Sequence, residues 1–74
     1  MRYELTKDSV LRLDELEQEL ARLYRELNVH VQGLRKGKRV SVLRSRKAAM
    51  ELVKFLKEFR KAVKELEFTT PEVQ

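Results

Sequence analysis

The sequence predicts an all-α protein, an antiparallel hairpin of two long helices. Two series of apolar residues, one in each half of the chain, recur in alternating steps of three and four, which is the heptad pattern of packed helices. Both glycines fall in the stretch 33–39, between the two series. Charged residues make up 39% of the chain and Trp is absent, a composition typical of coiled coils and long helices.

The first helix is expected over about residues 6–32, after a short lead of residues 1–5. Its apolar series consists of Leu13, Leu16, Leu20, Leu23, Leu27, His30 and Leu34. Thr6 or Asp8 is placed to cap the start of the helix. Gly33 is placed to end it.

The second helix is expected over about residues 38–68. Its apolar series consists of Val42, Ser45, Ala49, Leu52, Leu56, Phe59, Val63 and Leu66, and a flanking row adds Ser41, Ala48, Phe55 and Ala62. Together they make a face broader than a two-helix contact needs, which predicts packing against more than one neighbour. Pro71 and the threonines before it stop the helix, and residues 69–74 are expected to form a loose tail.

The two series mirror each other about Lys36, in a turn predicted over residues 33–37. A chain folded back there brings Leu13 level with Phe59, Leu16 with Leu56, Leu20 with Leu52, and Leu23 with Ala49. A lone hairpin of 74 residues buries little, so we expect two copies to dimerise into a four-helix bundle. The predicted core of hairpin and dimer is Leu13, Leu16, Leu20, Leu23, Leu27, Ala49, Leu52, Phe55, Leu56, Phe59 and Val63.

Residues 1–74 are expected to form a single domain. The absence of Cys excludes disulfides and thiolate metal sites. No apolar run approaches the about 18 residues that a membrane span needs, and the lead lacks the apolar segment of a signal peptide. The sequence therefore predicts a soluble cytoplasmic protein with no membrane contact.

The sequence offers little that could support catalysis. It has one His, no Gly-rich phosphate loop, and acidic residues scattered over exposed helix positions. We therefore expect no enzyme activity, metal, cofactor or small-molecule substrate. His30 is interpreted as a polar residue that fixes the register of the helices, and the alternative is a role as a ligand or proton switch.

The net charge of +5 is concentrated near the turn. Residues 27–50 hold seven Lys and Arg and no acidic residue, whereas the flanking segments mix both signs. Lys38 and Arg39 fall at the start of the second helix, where the helix dipole disfavours cations unless an anion is bound. The predicted DNA-binding residues are Arg35, Lys36, Lys38, Arg39, Arg44, Arg46 and Lys47.

The cluster indicates contact with the phosphates of double-stranded DNA, without sequence preference. No aromatic residue is interleaved for stacking on single-stranded bases, and no helix presents side chains to read base edges. A second strip, Lys47, Lys54 and Lys61, runs beside Glu51, Glu58 and Glu65 and is interpreted as a solvated face.

Residues 37–61 resemble the helical region of the bacterial linker-histone-like nucleoid proteins, the chlamydial-type histone family. The matching features are Gly37 and Arg39, Arg44-Ser45-Arg46, Leu52-Val53-Lys54, Lys57, and Phe59-Arg60-Lys61. The resemblance implies non-specific DNA binding and chromosome condensation in a nucleoid, and a virus-encoded version of the module fits as well. The family's long Lys- and Ala-rich tail is not in this sequence, so DNA contact is expected from the hairpin itself.

The alternative is a coiled-coil module for protein interaction or oligomerisation. In that interpretation the hairpin pairs with another subunit, and its basic turn contacts an acidic protein surface.

Overall fold

The computed structural model describes residues 3–69 and shows the predicted hairpin. Helix α1 spans Lys7–Arg35 and helix α2 spans Val40–Lys64, and the two pack antiparallel. Two short strands, β1 (Glu4–Leu5) and β2 (Phe68–Thr69), pair antiparallel at the end away from the turn. The result is a rod of 62 × 18 × 18 Å.

Helix α1 begins as predicted but ends later. The Thr6 hydroxyl caps the start by accepting a hydrogen bond from the Ser9 backbone N–H at 3.2 Å. The predicted end near residue 32 is wrong, because Gly33 lies inside the helix. Gly33 is buried against Ser41 of α2, so its missing side chain permits close helix packing instead of ending the helix.

Small residues, rather than the predicted apolar series, form the most buried row of α2. Ser41, Ala48 and Ala62 lie on one seven-residue repeat and are only 5%, 4% and 6% exposed. Leu56 and Val63, predicted for the core of hairpin and dimer, are each 40% exposed in the single hairpin, so they contribute little to the contact between its two helices. Small side chains let the two backbones approach closely, and the neighbouring row of larger side chains is left outside.

The other predicted core residues are at least half-buried between the helices. Leu16 and Leu23 of α1 are 4% and 5% exposed. The half-buried members are Leu13, Leu20, Leu27, Ala49, Leu52, Phe55 and Phe59. The Phe55 and Phe59 rings lie 6.1 Å apart at a 49° tilt. No side chain within residues 3–69 is less than 2% exposed, so a single hairpin has a thin core.

Backbone pairing closes the open end of the hairpin, which the sequence does not predict. Helix α2 stops at Lys64 instead of near residue 68. Phe68–Thr69 then form β2, so the predicted loose tail begins no earlier than residue 70. The rest of that tail, 70–74, and the first two residues of the lead lie outside the described residues.

Hydrogen bonds between the chain segments on either side strengthen this closure. The Glu67 N–H donates to the Ser9 hydroxyl oxygen at 2.8 Å, and the Thr6 N–H donates to the Glu67 carbonyl at 3.1 Å. The Thr69 hydroxyl donates to the Glu4 carbonyl at 3.0 Å. We call β1, β2 and these bonds the clasp.

The clasp and the turn fix how the helices are aligned. Leu5 pairs with Phe68 in the clasp, and Gly33 packs against Ser41 near the turn. The centre of the mirror therefore lies at Lys36–Gly37, slightly beyond the predicted centre at Lys36.

The buried rows divide the hairpin into two long faces. The buried row of α1 contains Leu16 and Leu23, and the buried row of α2 contains Ser41, Ala48 and Ala62. In an antiparallel pair, residues three positions after a buried residue lie on one face of the hairpin, and residues one or four positions after it lie on the other face. The polar face carries Arg12, Glu19, Glu26, Arg44, Glu51, Glu58 and Glu65. The apolar face carries Val10, Leu13, Leu20, Tyr24, Leu27 and Val31 of α1, with Val42, Ala49, Leu52, Leu56, Phe59 and Val63 of α2. The exposed Glu17 lies in the same row as Val10 and Tyr24.

Arg22 organises the charges along the polar face. Its guanidinium hydrogen-bonds Glu19 and lies 3.5 Å from the Glu26 carboxylate. The hydrogen bond to Arg22 lowers the pKa of Glu19. That bond and the charges of Glu19, Glu26 and, across on α2, Glu51 raise the pKa of Arg22.

Candidate nucleic-acid interface

The turn between the helices is a Schellman motif built on Gly37. Gly37 has a φ of 77°, in the left-handed region that favours glycine. Its N–H donates to the Leu34 carbonyl at 2.9 Å, and the Lys38 N–H donates to the Gly33 carbonyl at 3.0 Å. These bonds end α1 and set the direction in which the chain turns back.

Four cations surround this turn, and we call them the basic tip: Arg35, Lys36, Lys38 and Arg39. Arg35 is the last residue of α1, Lys36 caps that helix, and Arg39 directly precedes α2. All four side chains are exposed. The ion pairs found within residues 3–69 involve none of them, so the positive charge of the tip faces solvent without a carboxylate partner.

At the start of α2, backbone N–H groups donate hydrogen bonds to nearby backbone carbonyls. Arg39 at the cap position makes no side-chain capping bond, and the first turn holds no acidic residue. The Ser41 N–H donates to the Lys38 carbonyl and the Val42 N–H to the Arg39 carbonyl, each at 3.1 Å. An anion at this end is therefore best held by the cationic side chains, with a smaller backbone contribution than the sequence suggests.

The other three predicted DNA-binding residues do not share one surface. Arg44 lines a groove of the polar face with Glu26 and Glu51, and Lys47 borders the same groove. Arg46 is two positions beyond Arg44, roughly 200° around the helix, and points away from that groove. The structure thus separates Arg44, which has acidic neighbours, from the basic tip.

The outer surface of α2 carries a basic stripe, which contains the strip of Lys47, Lys54 and Lys61 noted in the sequence. Its members, all exposed, are Arg46, Lys47, Lys54, Lys57, Arg60, Lys61 and Lys64. Residues 51–74 hold equal numbers of acidic and basic residues, but Glu51, Glu58 and Glu65 lie together on the polar face. On a helical projection this acidic row lies only about 40° from the row of Lys47, Lys54 and Lys61, so it borders the stripe.

One shallow groove gathers much of the stripe. The groove is lined by Phe55, Glu58 and five cations of the stripe, which are Lys54, Lys57, Arg60, Lys61 and Lys64. The strip that the sequence analysis interpreted as a solvated face is thus part of a larger cationic surface. Between the basic tip and this groove the outer surface of α2 also exposes Leu43 and Met50, at 71% and 63%.

His30 lies where the polar face meets the helix contact. It is half-buried and lines the groove that also holds Glu26 and Arg44. Within residues 3–69, no three His, Cys, Asp or Glu side chains gather as a metal site requires. Among the same residues, neither helix has the length and apolar character needed to cross a membrane.

Comparisons with known proteins found no match to this chain. No protein-family model matches the sequence, and neither a curated protein nor a solved structure matches it. The resemblance of residues 37–61 to the linker-histone-like proteins therefore stays a prediction, carried by the residues that suggested it.

Proposed function

We propose that this protein binds double-stranded DNA without sequence preference and acts as an architectural, nucleoid-compacting protein. The observation that supports this most is the arrangement of its cations. The basic tip has no ion-pair partner within the described residues, and the basic stripe on α2 adds a second group of exposed cations. Neutralising phosphates is the sequence-independent source of affinity for DNA, because each contact releases counterions.

The geometry of the stripe suits a long, uniformly charged ligand. Lys47, Lys54 and Lys61 recur every seven residues, which is about 10 Å along a helix. Duplex DNA presents one negative charge per roughly 1.7 Å of its axis. A row of cations laid along the duplex therefore contacts phosphates at any position along the DNA. The rod is 62 Å long, comparable to about 18 base pairs.

Two further features favour duplex over single-stranded nucleic acid and over base-specific reading. Apart from the half-buried Phe55 in the groove, the stripe and tip contain no aromatic side chain on which an exposed base could stack. They also offer Lys and Arg without the Asn or Gln that pairs with adenine edges. Both features suit contacts to the phosphate backbone alone.

A salt-dependent anisotropy titration with labelled duplexes of about 20 base pairs tests the proposal. If six phosphates are engaged, the logarithm of affinity falls against the logarithm of salt with a slope of roughly −5. Duplexes of unrelated sequence should bind equally well. Salt-insensitive binding, or strong preference for one sequence, would contradict the proposal.

The second candidate function is protein interaction, favoured by the apolar face. Val42, Leu56 and Val63 are 49%, 40% and 40% exposed in a protein with a thin core. In this alternative the face pairs with another subunit, and the basic tip contacts an acidic protein surface. Light scattering with a parallel DNA titration distinguishes the two, since a chain without DNA affinity that aggregates alone supports the alternative.

A further inference from the structure

We propose that the apolar face binds a second copy of this chain, so that the two basic tips lie at the same end of a four-helix bundle. The face is defined on α2 by apolar side chains at seven-residue intervals, and on α1 by apolar side chains in a row that also holds the exposed Glu17. On α1 Val10 and Tyr24 are 42% and 61% exposed, and on α2 Val42 and Val63 are 49% and 40% exposed. This association goes beyond DNA binding and does not depend on it, because it uses a different surface.

The alignment of the hairpin determines which residues a second copy meets. Leu5 lies opposite Phe68 at one end and Gly33 opposite Ser41 at the other. The same register places each residue of α1 at the height of one residue of α2 along the rod. Asp14 is thus at the height of Arg60, and Ala21 at the height of Val53. Each of these pairs lies on opposite outer edges of the apolar face, so its members do not meet within one hairpin.

A two-fold axis parallel to the helices brings these edges together between copies. It places α1 of one copy against α2 of the other, antiparallel and at the same level. Asp14 then lies beside the partner's Arg60, with Glu17 one helical turn away. Ala21, a small residue, lies beside the partner's Val53.

The apolar rows also fit in this arrangement. Tyr24, the largest side chain of its row, lies opposite the partner's Ala49, the smallest of the facing row. Val10 lies opposite the partner's Val63. Between these pairs, Glu17 lies opposite the partner's Leu56. The rows therefore match in size at the apolar positions, which supports a second copy as the occupant of the face.

Charge decides between this axis and the one perpendicular to the helices. The perpendicular axis would place α2 against the partner's α2 and bring Arg46 close to the partner's Arg60, two like charges. The parallel axis pairs opposite charges at both edges. Repulsion between the neighbouring tips is moderated because they are exposed, and salt at 0.15 M screens such charges beyond about 8 Å.

The five lysines of the stripe stay exposed in this dimer. Since the two α2 helices lie diagonally across the bundle, the stripes face opposite directions. If the proposed DNA binding holds, one dimer thus offers two separate surfaces to duplexes, in addition to the joined tips.

Disulfide trapping tests the arrangement, because the natural chain has no Cys. The exposed positions Ala21 and Val53 are replaced, singly and together, and the chains are oxidised without DNA. We expect A21C/V53C, and an equimolar mixture of the two single variants, to form covalent dimers on a non-reducing gel. Each single variant alone should stay uncrosslinked.

Other outcomes overturn the proposal. Self-crosslinking of A21C or of V53C alone would show the perpendicular axis instead. A monomer by light scattering, with helicity retained by circular dichroism and no crosslinking in any variant, would show that the second copy is not the occupant. Because no DNA is present, these results do not depend on whether the tip binds DNA.

Charge reversal gives a second measurement. Arg60→Glu should weaken dimerisation roughly tenfold, since each dimer contains two such edge contacts. Adding Asp14→Lys to the same chain should restore most of the loss. Arg25→Glu, the same reversal on the outer surface of α1, is the matched control and should leave dimerisation unchanged. Failure of Asp14→Lys to restore any affinity would contradict the assigned pairing.

Discussion

Gly33 of α1 packs directly against Ser41 of α2, so closely that a β-carbon on Gly33 would lie 3.1 Å from the Ser41 Cβ and nearer still to its hydroxyl oxygen. Ser41 is only 5% exposed, so it has little room to move aside. This contact sets the separation of the helices beside the turn. It therefore also positions the cations that surround the turn.

Gly33→Ala should destabilise the protein, although alanine favours helix over glycine by about 1 kcal/mol. Overpacking at the contact is expected to outweigh that gain and lower the free energy of unfolding by about 1 kcal/mol net. The double variant G33A/S41G should recover most of the loss, because it returns the space that the new methyl needs. Urea unfolding measures both. A stabilised G33A single variant would show that the helices separate there at little cost.

Gly37→Ala tests the other glycine, where no atom crowds the position but φ is 77°. The left-handed conformation costs a residue with a side chain about 1–2 kcal/mol, and unfolding in urea should show a loss of that size. Gly37→Asn should lose less, because asparagine tolerates this region better. Equal losses for both variants would argue against backbone strain as the cause.

Ser45→Ala should stabilise the hairpin. The Ser45 hydroxyl oxygen is buried and has no hydrogen-bond partner within the described residues. Removing an unsatisfied buried hydroxyl, and gaining helix propensity, should raise the free energy of unfolding by about 1 kcal/mol. Thermal unfolding by circular dichroism checks this. A lower melting temperature would mean that the hydroxyl has a partner in solution.

Charge reversal at the basic tip should weaken DNA binding without changing helicity. In K36E/K38E/R39E the tip loses three cations and gains three anions, so both affinity and the steepness of the salt dependence should fall. Fluorescence anisotropy against duplex DNA measures both quantities. Arg25→Glu on the outer surface of α1 is the control, and an equal loss in that variant would point to net charge alone.

Neutralising the stripe separates it from the tip. In K54Q/K57Q/K61Q the salt dependence should become shallower by up to about 3, if all three lysines contact phosphate. Binding should persist because the tip is intact. An unchanged slope would confine the interface to the tip and return these lysines to a solvating role.

The helices and the basic turn could be predicted because their signals are local. The heptad spacing of Leu16 and Leu23 and the capping position of Thr6 are visible within a few residues. Either glycine could end α1 on local grounds. Only the approach of Ser41, far along the chain, decides that Gly33 continues the helix and Gly37 ends it.

Other features depend on information that spacing alone does not carry. Heptads define rows, but side-chain size decides that the row of Ala48 is buried and the row of Leu56 is exposed. The clasp has two residues in each strand and joins opposite ends of the chain, so it leaves no periodic pattern. By contrast, the stripe was accessible to prediction, because the seven-residue spacing of Lys47, Lys54 and Lys61 is visible in the sequence.

The clasp also has a consequence for how the chain folds. The bond from Thr69 to Glu4 spans 65 positions, whereas the bonds around Gly37 span a few. Closing a short loop loses less entropy than closing a long one, so we expect the turn to form early and the helices to zip toward the clasp. The positively charged end would then be assembled before the chain termini have met.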